Sequence, residues 1–163
     1  MTTDAKYFLD KFLKNREIIT EFYKRVPEDK LDYRMIDTTE RKSDTPRESL
    51  AHLIDTTRDY INGIKNGEMK FNITYDDLSH PEKLTKKQLM DKLAQTEKEL
   101  KSLLSDPKIF DKKLSVSWEK EPVSIMSILW DLGSHEILHQ GWNLAIMDHL
   151  NIERFPQLKI MWG

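Results

Sequence analysis

The chain has 163 residues, a formal net charge of −2 and no cysteine, with acidic and basic residues interspersed along its length. That balance gives no electrostatic footprint for nucleic acid, and the missing cysteine excludes disulfides, thiolate metal ligands and a cysteine nucleophile. With only 5 Gly and 6 Pro, an all-β chain is disfavoured. No uncharged run is long enough to span a membrane, and residues 1–14 mix Asp and Lys into their apolar positions, unlike a secretory leader. The expectation is a cytoplasmic protein without a membrane or nucleic-acid partner. Residues 1–163 show no divider rich in glycine or proline and read as one domain.

The first predicted helix covers Thr3–Arg25, with Phe8, Phe12, Ile19, Phe22 and Val26 at helical spacing. Pro27 ends it, and residues 28–43 form a polar connection from which Tyr33, Met35 and Ile36 can pack down. The second helix opens at Thr45-Pro46-Arg47-Glu48. Here a hydroxyl sits at the N-cap, proline at the first helical position and Glu where a capping box requires it. Leu50, Leu53, Ile54, Thr57, Ile61 and Ile64 make its apolar stripe, and Asn66-Gly67 stops it.

A long connection leads to a second capping box, Thr85-Lys86-Lys87-Gln88, and to a seam of Leu89, Leu93, Thr96, Leu100 and Leu103. Pro107 closes this third helix. The alternation Leu114, Val116, Trp118 predicts a short extended piece. Pro122 is placed as the first residue of a fourth helix, apolar over most of its circumference and therefore expected at the centre. The apolar tail at Leu158, Ile160, Met161 and Trp162 is expected to pack on the bundle or on a second subunit. The fold class is all-α, a four-helix bundle with long connections.

Within the fourth helix lies His135-Glu136-Ile137-Leu138-His139. Histidines at i and i+4 share one helix face, and two such imidazoles can bind one borderline cation such as zinc. A third ligand has to come from another helix, and His52 is the candidate, although it lies about 150° from the centre of its own apolar stripe. The competing reading is that all three rings are hydrogen-bonded core or rim residues. Asp131, one turn before His135, is an orienting group, a proton acceptor or a plain helix-face acid. Asp55 is a candidate for supporting His52, Glu136 is placed in an outer contact, and Trp142 is placed to wall the site. Asn143 follows His139 by one turn, and Gly141 leaves a bare patch on the helix. His149 is too far along the axis to share the site and His80 is in a loop, so both read as surface residues. The four tryptophans read as core.

Taken together, Ser49-Leu50-Ala51-His52-Leu53 and His135–Trp142 resemble the DinB-like (DinB/YfiT) superfamily, which pairs an "L-A-H-L" histidine in helix two with an "H-E-x-x-H-x-G" stretch in helix four. Pro156 and Trp162 look like the proline and tryptophan found near the end of that family. The resemblance implies a four-helix bundle in which His52, His135 and His139 bind one divalent metal, zinc or nickel, and it sets aside the wheel position of His52. It also implies a homodimer. Members with known activities resemble transferases and isomerases that use low-molecular-weight thiols, or metal-dependent hydrolases of small molecules. The chain departs from the family's "H-R-G-Q" at His139-Gln140-Gly141-Trp142, which puts the substrate class in doubt.

The expectation is therefore a metal-dependent enzyme for a small-molecule substrate, with Asp131 as the proton acceptor to test. The alternatives are a non-catalytic metal- or ligand-binding bundle and a structural dimerising bundle.

Overall fold

The computed structural model describes residues 1–71 and 73–162, with the side chain of Trp162 left out. The expected role of Trp162 therefore lies outside the described residues. Four long helices, α1 (Thr3–Arg25), α2 (Pro46–Asn66), α3 (Lys86–Leu104) and α4 (Ile125–His149), form the bundle, and a short α5 (Pro156–Trp162) follows. No described helix is long and apolar enough to cross a membrane.

The helix starts follow from their caps. The Thr45 hydroxyl accepts from the Glu48 N–H at 3.1 Å, while the Glu48 carboxylate accepts from the Thr45 N–H at 2.8 Å. Thr85 and Gln88 repeat the arrangement at 3.2 and 2.8 Å. Each box satisfies N–H groups that the first helical turn leaves free. Gly67 stops α2 with φ +79°, a left-handed conformation that glycine adopts without a Cβ clash.

The start of α4 corrects the placement of Pro122. Val123–Ser124 (β2) pair antiparallel with Lys113–Leu114 (β1), so the chain is still extended there. Ser124 is the true N-cap, accepting from the Ser127 N–H at 3.1 Å. The extended piece expected around Leu114 is present but only two residues long.

The apolar core falls into two clusters along the bundle. One gathers Ile19, Phe22, Leu50, Leu53, Ile54, Leu89, Leu93 and Met147, with Phe155 and Leu158 of the tail. The other gathers Phe8, Phe12, Ile61, Ile64, Leu100, Ile128, Leu129 and Leu132. The tail thus packs through Leu158, whereas Ile160 is 86% exposed.

The central position expected for α4 is the larger correction. Leu138 is 73% exposed, and Ile137 and Trp130 also face outward, while Glu136, Gln140 and Asn143 are buried. Those three sit at i, i+4 and i+7 and so form the inward stripe of the second half of α4. Trp118 and Trp130 are exposed rather than core. Trp118 stacks on Phe71 with centroids 5.6 Å apart, and Trp130 meets Phe8 edge-on at 5.6 Å.

The long connection after α2 is tied down rather than loose. Met69 N–H donates to the Ser115 carbonyl at 2.9 Å. Arg58 of α2 forks onto the Asp77 carboxylate at 2.7 and 3.0 Å, and Lys92 of α3 donates to the same carboxylate. Leu78 is buried in the first core cluster. These anchors hold residues 73–79 against α2.

Candidate functional site

Three imidazoles converge between α2 and α4. One ring nitrogen from each of His52, His135 and His139 lies within 4.8 Å of the others. His135 and His139 share a face of α4 because they are one turn apart. His52 reaches them because α2 packs against both α3 and α4. Its apolar stripe fills one flank, and the residues beside that stripe face the other helix.

His52 Nε2 is 3.1 Å from His135 Nε2. Two nitrogens coordinated to one tetrahedral zinc stand about 3.3 Å apart, from metal–nitrogen bonds of about 2.05 Å. The donor type and number, and the spacing of this pair, therefore fit a divalent ion. Ser49 Oγ lies 2.9 Å from His139 Nδ1, which orients the ring and leaves Nε2 facing the cluster, as a supporting hydrogen bond to a ligating histidine does. Burial first, and then the neighbouring rings and Arg16, depress the pKa of His135 to about 4 and of His139 to about 3. Both rings are thus neutral at ordinary pH, the form that coordinates metals.

The cluster is open on two sides. A cavity of about 520 Å³ opens from His52 and His135, bounded by Asp55, Thr56, Asp59 and Tyr60 of α2 and by Phe71, Ile73, Tyr75 and Leu78 of the following connection. A smaller pocket of about 220 Å³ lies on the other side, against Ser49, His139, Leu138 and Trp142. Trp142 therefore stands at the site, as its spacing suggested. Asp59 accepts from the Tyr75 hydroxyl at 2.8 Å, which in turn accepts from the Asn62 amide at 3.0 Å. Burial, with the charges of Asp59 and Asp77, raises Asp55 to about 6 against the opposing pull of Arg58.

Asp131 is exposed and bounds neither opening. Burial and the charge of Glu119 nevertheless raise its pKa, and its own charge, after burial, raises that of Tyr60 on the cavity wall. Asn143 is buried away from both openings. His149 lies 3.3 Å from the Tyr33 hydroxyl and His80 3.1 Å from Glu82, both at the surface.

Glu136 is not in an outer contact. It is 0% exposed and pairs at 2.7 Å with Arg16 of α1, itself buried. Arg16 also donates to Thr57 of α2 and lies 5.0 Å from the centroid of Phe12. Sequence spacing could not find Arg16, which reads as one of many basic residues on a solvated helix. The polar side of the cavity was more accessible. His52, Asp55, Thr56 and Asp59 fall at i, i+3, i+4 and i+7, one polar face of α2.

A sequence model described as the DinB superfamily matches residues 11–142. No curated protein shows significant similarity to the chain. Among solved structures, the chain is similar to a DinB-like protein (YjoA) from Bacillus subtilis, with a TM-score of 0.68 at 18% identity over 92% of this chain and 95% of that one. It is also similar to a mycothiol-dependent maleylpyruvate isomerase, with a TM-score of 0.66 at 11% identity over 86% of this chain and 62% of that one. At such identities the likeness is one of fold.

Proposed function

Because the chain belongs to the DinB superfamily, we propose that His52, His135 and His139 hold one divalent ion, zinc or nickel, in a metal-dependent enzyme acting on a small molecule. The reaction is either transfer of a low-molecular-weight thiol or hydrolysis. The observation that carries this reading is the three-imidazole cluster standing at the mouth of a cavity, with no fourth His, Cys, Asp or Glu in the cluster among the described residues. Catalytic zinc sites have three protein ligands and an open position, whereas structural ones are closed. The mycothiol dependence of one structural neighbour supports the thiol class over hydrolysis.

An ion in this position supplies Lewis acidity to a thiol or a water and so favours a nucleophile near neutral pH. The chain's own residues do the rest. Ser49 holds the His139 ring, and Tyr60 and Phe71 limit water at the cavity wall. Asp131, one turn before His135 but bordering neither opening, takes up the released proton through solvent. Its raised pKa moves it toward the range in which a carboxylate is an effective base. The protein is proposed to act as a homodimer, since Trp130, Ile137 and Leu138 leave an apolar face exposed on α4. A monomer in light scattering would remove that part of the reading.

Elemental analysis of untagged protein beside its His139→Ala variant tests the site. One zinc or nickel per chain is expected in the wild type and none in the variant, with helical circular dichroism unchanged. Equal metal in both would overturn the ligand assignment.

A further inference from the structure

The cavity beside the histidines has a one-sided charge. Two carboxylates, Asp55 and Asp59, bound it, and no Lys or Arg does among its described lining residues. Arg58 lies beside Asp59 in the sequence of α2, but its guanidinium is committed to both oxygens of Asp77 and lies 5.2 Å from the centroid of Tyr75. Asp59 is already engaged by the Tyr75 hydroxyl. Asp55 differs. It is half-buried, and its Oδ1 is shielded from solvent without a hydrogen-bond partner among the described residues. A shielded carboxylate oxygen without a donor is costly to maintain, and native structures rarely keep one without a use.

Apart from the hydroxyls of Thr56, Thr74 and Ser79 and the two imidazoles, the rest of the wall is of the opposite character. Tyr60, Phe71 and Tyr75 present aromatic surface, and Ile73 and Leu78 add aliphatic surface. A volume of about 520 Å³ is in the range of small-molecule sites, which combine an apolar wall with a few placed polar groups. Away from the histidine end, where a bound ion would attract it, a carboxylate or phosphate lodged against this wall would face Asp55 and Asp59 in a partly desolvated space, where like charges repel strongly. A protonated amine would supply the donor that Asp55 lacks and could also lie against the aromatic faces.

We infer that this cavity selects a small molecule joining an apolar or aromatic body to a protonated amine, with Asp55 as the counter-charge and the reacting end directed at His52 and His135. Only the reacting end rests on the metal reading above. The preference for a cation comes from the cavity itself.

The test is a matched series titrated into the purified protein near pH 8: 2-phenylethylamine, 2-phenylethanol and 3-phenylpropionate. Binding is followed by calorimetry and by the methyl resonances of Ile73 and Leu78, before and after chelation, with metal content measured on the same samples. After chelation, which removes any ion the acid could ligate, the amine is expected to bind roughly tenfold or more tightly than the alcohol, as suits a hydrogen bond to a charged group, and the acid more weakly than either. Asp55→Asn is expected to bring the amine down to the affinity of the alcohol without altering that of the alcohol. Equal binding of all three probes, no binding of any at saturation, or an amine preference that survives in Asp55→Asn would each overturn the proposal. The wild-type series decides the matter alone should the variant not fold. Amine preference in a protein that binds no metal would remove only the metal reading, whereas one ion per chain without amine preference would remove only this one.

Discussion

Asp55 combines three properties that can be separated by experiment: it borders the cavity, it is half-buried, and its pKa is raised to about 6. A carboxyl whose folded pKa exceeds its unfolded value of about 3.9 favours the folded state while protonated, and that contribution is lost as pH rises through the folded pKa. In chelator-treated protein, Asp55→Asn should therefore raise the melting temperature at pH 8. The gain should shrink as pH falls through 6 and vanish toward 4. A gain that is the same at every pH would show that the burial of Asp55 is not what perturbs it. Asp131 belongs to a different test. As a proton acceptor its replacement in Asp131→Asn should lower kcat by about 100-fold or more with little change in KM. A loss confined to KM would remove it from the proton-transfer step.

At the scale of the helix, the local signals were the reliable ones. Both capping boxes, the stop at Gly67 and the extent of α1 are set by residues within one turn of each boundary, so they could be read along the chain. Thr45→Ala should cost about 1 kcal/mol of stability, measurable by denaturant unfolding, with a smaller loss for Thr85→Ala, whose cap is more exposed. Equal, negligible effects would mean that tertiary contacts hold the two starts without the caps. The errors lie where a distant partner intervened. Pro122 has the chemistry of a first helical residue, but pairing of Val123–Ser124 with Lys113–Leu114 delays α4 until Ile125. In α4 the abundance of apolar residues suggested a fully buried helix. It instead buries Glu136 against Arg16, with Gln140 and Asn143 on the same stripe, and leaves Leu138 facing outward.

Across the whole molecule, the buried Arg16–Glu136 pair connects α1 to α4, and the Arg16 bond to Thr57 brings in α2. Glu136 follows His135 on α4, and the Arg16 charge contributes to the lowered pKa of that ring, so the pair helps hold the α4 register that aims the histidines. Arg16 Nε and Nη1 and Glu136 Oε2 have no protein partner among the described residues, so the pair is incompletely compensated and its net contribution to stability is small. Removing one member is another matter. Arg16→Met or Glu136→Leu should destabilise by about 3–5 kcal/mol, because each strands a buried charged group, while the Arg16→Met/Glu136→Leu double variant should recover most of that loss. Additive losses in the double variant would mean that the two residues act independently.

The sequence by itself determined the four long helices, the capping boxes of α2 and α3 and the placing of His135 and His139 on one face, because helix periodicity and capping act over three or four residues. It also carried His52, through the likeness of the two histidine-bearing stretches to one family rather than through its own helical wheel. Only the tertiary structure decided that His52 meets the other two rings, that residues 73–79 fold back over α2 to make a cavity lined by Asp55 and Asp59, and that Glu136 is buried against Arg16. Each of these depends on packing between segments tens of residues apart, where the geometry of the whole bundle, not local preference, chooses which face of a helix turns inward.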